Sequence, residues 1–600
     1  VRRESTDSAH ALLALVPEAA PELCLFVAPD ARRLSILHDT MAGAAVSARI
    51  LRSTQRGIVR FKQPLGGVRF LTADDSEPDK AAPALRFDGP GTTMEAAFTL
   101  LPVLPSDVPA AAKALAGPLG ALASAGFRTA TVLDHLREGR LAAGLAEAML
   151  RLLPRDELDE LARLALDEPQ TLLLLQRVLP EDGFVQEHLP ALVRWRQSRA
   201  PTSTEGQLDW PASDENLLLP SINETGLPVG VALHTLARGH VLPRRGFCVL
   251  AAARNEGPYL LDWIAYHLSI GFEHIFLYTN DNTDGSDALL GPLARHGIIT
   301  WVQNPRGERL SIQDKAYAHA LTLLPDILDY RWTAVLDLDE YFCVAPGMFD
   351  GVADFMALHE AQPVDAVALS WLMFVARVGD TYADAPVTQR LSWRTNNVNV
   401  HVKSIFRTRL FWHSQPHYPY PTLSGAFVYR SQDGGFHHHP GVQDRIPAFS
   451  ANPAAEQGWI NHYFLRTAPE ALWKLARGNV AWLKGEDERE RPVFADFIAR
   501  KFLDLAAPET QVADRRIESF TKGQAAMRDR LLKLDGVADA DAAIKRDFAE
   551  KLKTLSEAFL ATPPAADATP ALLRFRDAVA ASLGKRRAAP LITPARSRMI

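Results

Sequence analysis

The sequence predicts an α/β fold for its central portion, with a Rossmann-like, mostly parallel sheet over residues 241–500. A β-rich segment precedes it, and helical segments flank it. Three observations predict this. From about residue 241, apolar runs of strand length alternate with amphipathic runs of helix length, the pattern of a sheet covered on both faces. Residues 1–103 break into short apolar runs separated by Pro, Gly and Asp. Residues 104–200 and those after about 500 carry apolar positions at helical spacing.

In chain order, Glu22–Val27, Arg33–Leu37, Gly57–Phe61, Val68–Thr72 and Met94–Leu101 read as strands of a small sandwich or barrel. Residues 104–200 are rich in Ala and Leu. Pro154 ahead of Leu158, Leu161, Leu164 and Leu166 suits a helix start in a packing or partner-docking module. Residues 201–240 read as a linker. Phe247–Ala252, His274–Thr279, Ile298–Val302, Thr333–Leu338 and Asp365–Trp371 are strand candidates, and Pro258–Leu268 and Gln313–Leu324 are helix candidates. Residues 501–600 read as a helical C-terminal extension ending in a basic tail.

The chain has 600 residues, enough for several domains, with 47% hydrophobic and 23% charged residues, as in soluble globular proteins. A formal net charge of −6 leaves no basic excess for a nucleic-acid backbone. Cys24, Cys248 and Cys343 are far apart and odd in number. They read as buried free thiols in a reducing compartment, which makes a cytoplasmic location the expectation. No run of about eighteen apolar residues suggests a membrane span, and no secretory signal is expected.

The run Thr333–Leu338 ends in Asp337 and Asp339, one residue apart. In extended backbone such neighbours point the same way. Two convergent carboxylates at the end of a core strand need a cation between them. Mg²⁺ or Mn²⁺ shared with phosphate oxygens would satisfy them. Ligands of parallel sheets bind outside the carboxyl ends of the strands, where this pair lies. The first strand runs into Ala253-Arg254-Asn255-Glu256-Gly257, which offers a helix N-terminus and a guanidinium to phosphate, with Glu256 as an acceptor for a ribose or base edge. Helix capping by Asn255 is the competing explanation. The second strand ends at Thr279 in a polar loop, Asn280 to Ser286. Residues 411–440 hold Phe411, Trp412, His413, His417, Tyr418 and Tyr420, then His437, His438 and His439. Sugar binding, a metal site and plain packing all remain open for this cluster.

In order, these pieces are Ala253-Arg254-Asn255-Glu256, Trp263 to His267, Asn282-Thr283-Asp284-Gly285, Gln313 with Tyr317, and Leu336-Asp337-Leu338-Asp339-Glu340-Tyr341-Phe342. Lys403-Ser404, Asn461-His462-Tyr463-Phe464, Lys474 and Arg477-Gly478 follow. The set resembles the family 92-like glycosyltransferases, relatives of the family 2 enzymes, over residues 245–480. The resemblance implies a GT-A fold over residues 241–500, a nucleotide-sugar donor, a glycan or other saccharide acceptor and a divalent metal, Mn²⁺ or Mg²⁺. It makes Asp337 and Asp339 the metal-binding DxD and His462 a third metal-side residue. Arg254, Glu256 and Thr279 fall on the nucleotide side. Relatives often carry Asp at the place of Thr279, so the nucleotide stays open, with a uridine diphosphate sugar as first candidate. Lys403 would add positive charge, with a surface salt bridge as the alternative. Inversion is expected by analogy, with Asp433, Asp444 and His417 as candidates for the base. The rival functions are a non-catalytic glycan- or nucleotide-binding protein on the same fold, and a nucleotidyltransferase using the same aspartates.

Overall fold

A computed structural model describes residues 110–200 except 142, then 227–424, 427–437, 448–478, 487–565 and 567–584, with shorter pieces of 13–108 and 201–219. It divides into two compact units. The first gathers residues 1–200, 216–242 and 421–426, and the second 201–215, 243–420 and 427–600.

In the first unit, Leu23–Val27, Val46–Arg52 and Ile58–Lys62 pair antiparallel in sequence order. Phe70–Asp74 and Ala84–Gly89 continue the same sheet. The helix Arg155–Asp167 starts just after Pro154 and buries Leu158, Leu161, Ala165 and Leu166 on one face. Residues 201–240 are more than a linker. Gln207–Asp209 pairs as a strand in the second unit, and Val229–Gly239 is a helix buried along nearly its whole length.

The second unit is mixed α/β. Its strands are β1 (Arg245–Ala253), β2 (His274–Thr279), β3 (Ile299–Gln303) and β4 (Tyr330–Val335). They continue as β5 (Glu340–Val344), β6 (Ala366–Val375), β7 (Asn399–Arg407) and β8 (Gly458–Arg466). β3, β2, β1 and β4 lie side by side and parallel. Beyond β4 the direction changes: β7 pairs antiparallel with β4 and with β6. β8 then runs parallel to β6 and antiparallel to β5. The sheet is therefore parallel in one half and mixed in the other. Alternating helices dictate the parallel half, because a crossover returns each strand in the same direction. Those helices are α1 (Gly257–Ser269), α2 (Ser286–Arg295) and α3 (Ile312–Thr322). Residues Cys248–Ala253 of β1 are all buried, as a strand covered on both faces requires.

α4 (Ala468–Arg477) follows β8 directly, and α5 (Asp487–Leu505), α6 (Thr521–Leu531), α7 (Val537–Ala561) and α8 (Pro570–Ser582) complete the unit. The C-terminal helices are docked on the sheet domain. Arg528 of α6 donates to Asp262 Oδ1 at 2.7 Å, and Lys545 of α7 reaches Asp262 Oδ2 at 3.3 Å. Among the described residues no helix is long and apolar enough to cross a membrane.

Candidate active site

α1 sets the position of the acidic turn. β5 pairs with β8 along one edge, and side chains of α1 satisfy backbone groups along the other. Trp263 Nε1 donates to Glu340 O at 2.7 Å, and the Tyr266 hydroxyl donates to Phe342 O at 2.9 Å. His267 Nδ1 lies 2.9 Å from Trp263 O, which leaves Nε2 to accept from Phe342 N at 3.3 Å. Full burial lowers the His267 pKa to about 3, so the ring stays neutral in that role. The Trp263–His267 motif is thus a brace that substitutes for a neighbouring strand.

The strand expected over Thr333–Leu338 stops at Val335. Asp337 and Asp339 stand in the turn to β5, where Glu340 N donates to Asp337 O at 3.0 Å. Strand alternation is therefore not what aligns them. The turn frees both carboxylates from the ladder, and both line one cavity of about 270 Å³. Asp337 accepts from Gln313 Nε2 at 3.0 Å and from Lys403 Nζ at 2.9 Å. Asp339 accepts from Lys474 Nζ at 2.6 Å, with His462 Nε2 3.3 Å from its other oxygen. Burial works to raise the Asp339 pKa, but Lys474 and His462 outweigh it and hold the carboxyl well below its ordinary range.

Lys403 forms no surface salt bridge. Its side chain is fully buried and sits between Asp337 and Glu340 Oε2, the latter at 3.0 Å. Burial raises the Glu340 pKa to about 8, reinforced by Asp337 and Asp339 and opposed by Lys403. Glu340 Oε1 and His462 Nδ1 are buried without a hydrogen-bond partner and lie 3.9 Å apart.

The loops after β1 and β2 are knitted together. Asn255, at φ 53°, accepts from Thr283 N at 2.7 Å, and Asn255 N donates to Asn282 Oδ1 at 2.9 Å. The N-terminus of α1 is capped from across this seam: Gly257 N donates to Asp284 Oδ2 at 2.7 Å. Asn255 therefore joins the loops and does not cap the helix. Gly257 has no room for a Cβ, which would come 2.9 Å from both Asp284 Oδ2 and Ile544 Cγ2. Arg254 and Glu256 both line the cavity. Glu256 is held by Arg477 Nη2 at 2.5 Å, and Arg477 Nη1 donates to Arg254 O at 2.7 Å. Thr279 is buried, accepts from Trp301 Nε1 at 2.8 Å and does not line the cavity.

Two of the three candidates for a base fall among the described residues, and they separate clearly. His417 lines the cavity. Its Nδ1 lies 2.9 Å from Val402 O, which leaves Nε2 as the acceptor. Burial, then the charge of Lys403, lowers its pKa to about 4. Asp433 is away from the cavity, in a turn where its Oδ1 accepts from Ser431 Oγ at 2.6 Å and Gly435 N at 3.0 Å. Asp444 lies outside the described residues, as do His438 and His439. His413 is buried at 3.7 Å from Asp314, and His437 is buried against the Tyr429 ring.

Residues 246–473 match the sequence model of Glycosyltransferase family 92. This segment is a family 92 glycosyltransferase domain. A family 92 protein of Ricinus communis is 28% identical over 108 residues, covering 17% of this chain and 18% of its own. A family 92 protein of Oryza sativa subsp. japonica is 25% identical over 173 residues, 27% of this chain and 28% of its own. One of Arabidopsis thaliana is 26% identical over 102 residues, 16% of each chain. These matches span less than a third of the relatives' lengths.

The matched segment carries Asp337, Asp339, Lys403 and His462, while Lys474 and Arg477 fall just beyond it, and Trp371 escaped the sequence reading. It lines the cavity with its ring 4.4 Å from that of His462 and 5.2 Å from that of His417. Its signal was faint, a lone Trp near the middle of an apolar strand. The donors present suit a divalent ion shared with a ligand. Asp337 and Asp339 line one cavity with His462, whose Nε2 lies 3.3 Å from Asp339. Among the described residues no three such side chains form a complete ligand set. That arrangement suits Mg²⁺-type binding, in which one or two carboxylates act together with substrate phosphates.

Proposed function

We propose that the family 92 domain transfers a sugar from a nucleotide-sugar, with a uridine diphosphate sugar as first candidate, to a hydroxyl of a glycan or cell-surface precursor. Inversion at the anomeric carbon fits a single displacement. The acceptor oxygen bonds to that carbon as its bond to the diphosphate oxygen breaks, and the electron pair leaves with the nucleoside diphosphate. The observation that supports this reading is the convergence of Arg254, Asp337, Asp339, Lys474 and His417 on one cavity.

Each residue has a role in that displacement. Arg254 offers a planar guanidinium to the phosphates. Lys474 brings positive charge to the end of the cavity where the leaving group gains negative charge. His417 Nε2 takes the proton of the acceptor hydroxyl, and its bond to Val402 O fixes the tautomer. Mn²⁺ or Mg²⁺, held by Asp337 and Asp339 with His462 beside them, would supply Lewis-acid neutralisation of the diphosphate when bound.

A thermal-shift panel of nucleotide-sugars with and without Mn²⁺, followed by product analysis, tests the reading. A true donor raises the melting temperature with the logarithm of its concentration over its dissociation constant and is converted to free nucleoside diphosphate. Asp337→Asn with Asp339→Asn removes the Mn²⁺-dependent part of the shift. Release of sugar 1-phosphate from the nucleotide-sugar, or of pyrophosphate from a nucleoside triphosphate, would establish nucleotidyl transfer instead, and binding of every candidate without turnover would leave a binding protein.

A further inference from the structure

Six rings form a continuous track along this cavity. Starting from His417, the centroid of Trp371 is 5.2 Å away and that of His462 a further 4.4 Å. Phe464 follows at 5.4 Å, Phe497 at 6.3 Å and Phe494 at 6.3 Å. All six residues line the cavity. The last two come from α5, which begins at Asp487, beyond the segment that matches the family. α5 buries Ile498, Ala499 and Phe502 in an apolar cluster with Phe575 of α8. The helical period then turns Phe497 to the opposite side, while Phe494, four residues before Ile498, packs against the flank of that cluster and also lines the cavity. Phe497 is left 48% exposed, and its ring lies within 20° of parallel to that of Phe494. One side of the Phe464 ring is occupied by Lys474 Nζ, 3.9 Å from its centroid, so the open aromatic surface at the rim is that of Phe497.

We propose that this track seats an oligosaccharide acceptor, with Phe497 as the stacking platform for a sugar unit beyond the one that reacts. The inference deepens the transferase reading, since it places the reacting hydroxyl at His417. Three features point to a sugar ring. A pyranose has an apolar C–H face that matches an aromatic face, and a half-exposed Phe offers such a face to a ligand that remains partly in water. The track also runs from the proton acceptor to the rim, the path an acceptor chain must follow. The cations beside the track are already engaged: Lys474 is paired with Asp339, and Arg477 is held by Glu256 and the Arg254 carbonyl. Phe494 and Phe497 are therefore specificity-determining residues supplied by the helical extension.

The test uses the full chain and saturation-transfer difference NMR with cellotetraose, chitotetraose, maltotetraose and the corresponding monosaccharides. The expected result is at least one tetrasaccharide that binds more tightly than its monosaccharide. Phe497→Ala weakens it by about three- to tenfold and Phe497→Trp retains it, the size expected of one aromatic contact. Equal binding by wild type and Phe497→Ala, or no preference for the longer sugars, overturns the proposal. Calorimetric titration with uridine diphosphate separates the two readings. Unchanged nucleotide affinity in Phe497→Ala is expected, and weakened nucleotide with unchanged glycan binding would assign the ring to the base and overturn the proposal. Wild-type protein that binds the glycan but no nucleotide would sink the transferase reading alone.

Discussion

Lys474 Nζ stands 2.6 Å from Asp339 Oδ2 across 135 residues of sequence, and both side chains are nearly inaccessible. The ammonium does for Asp339 what the Lys403 ammonium does for Asp337. Each aspartate of the turn thus enters the folded state already compensated, and the acidic pair does not rely on a ligand for its folding.

Removing one partner of a buried pair leaves the other charge stranded, at a cost of about 3–5 kcal/mol. Lys474→Met is expected to lower unfolding stability by an amount of that order in urea titrations. Adding Asp339→Asn to it should recover part of the loss, because the stranded charge is gone. The pH dependence has a fixed sign. The folded pKa of Asp339 lies below its unfolded value of about 3.9. Its contribution to stability is therefore fully present above about pH 4 and is lost as pH falls toward the folded value. Lys474→Met should shrink that acid-side loss.

His417 gives a prediction about rate. Burial, followed by Lys403, brings its pKa down to about 4, so the ring stays neutral well below the ordinary histidine midpoint. Sugar transfer that uses it as the base should be independent of its protonation from neutral pH down to about pH 5, and should fall as pH approaches 4. A midpoint near the ordinary value of about 6.5 in the kcat/KM profile would remove His417 from the role. His417→Gln should lower kcat by about 10²–10⁴-fold while nucleotide affinity stays unchanged.

How much of this was readable from residues alone follows from what each signal rests on. Asp337 and Asp339 were legible as a pair because acids at the end of an apolar run need cationic partners, which Lys403 and Lys474 supply. The reason offered for their alignment was wrong in detail. Leu336 N still reaches Leu250 O at 3.2 Å, but the chain then turns, and the turn brings both acids to one cavity. The parallel half of the sheet was legible from its alternating helices. The mixed half was not, since the antiparallel pairing of β7 with β4 joins residues far apart in sequence and depends on tertiary packing. The burial of Lys403 was invisible because lysine is ordinarily a surface residue. Phe494 and Phe497 were hidden for another reason: on a helix that also carries Ile498 and Phe502, they read as core. Only the direction of the buried face shows that Phe497 turns away from it, while Phe494 packs against its flank.

Glu470 links the stability of α4 to the geometry of the site, and it yields the sharpest separation of effects. It is fully buried, yet it accepts from Arg390 Nη1 at 2.9 Å and Nη2 at 2.5 Å, from the Tyr259 hydroxyl at 2.8 Å and from Thr467 Oγ1 at 2.7 Å. Thr467 and Glu470 also form a capping box at the start of α4, the helix that carries Lys474 one turn on and Arg477 near its end. Thr467→Ala removes the cap and its hydroxyl's bond to Glu470 but leaves the Arg390 pair, and should cost about 1 kcal/mol, with little change in the cavity. Glu470→Ala removes the cap and strands the buried Arg390, so it should cost about 3–5 kcal/mol in urea unfolding. It should also weaken nucleotide affinity, because the start of α4 sets where Lys474 and Arg477 meet Asp339 and Glu256. Equal losses in the two variants would show that Arg390 finds another partner, and that α4 is positioned by its packing against β8 alone.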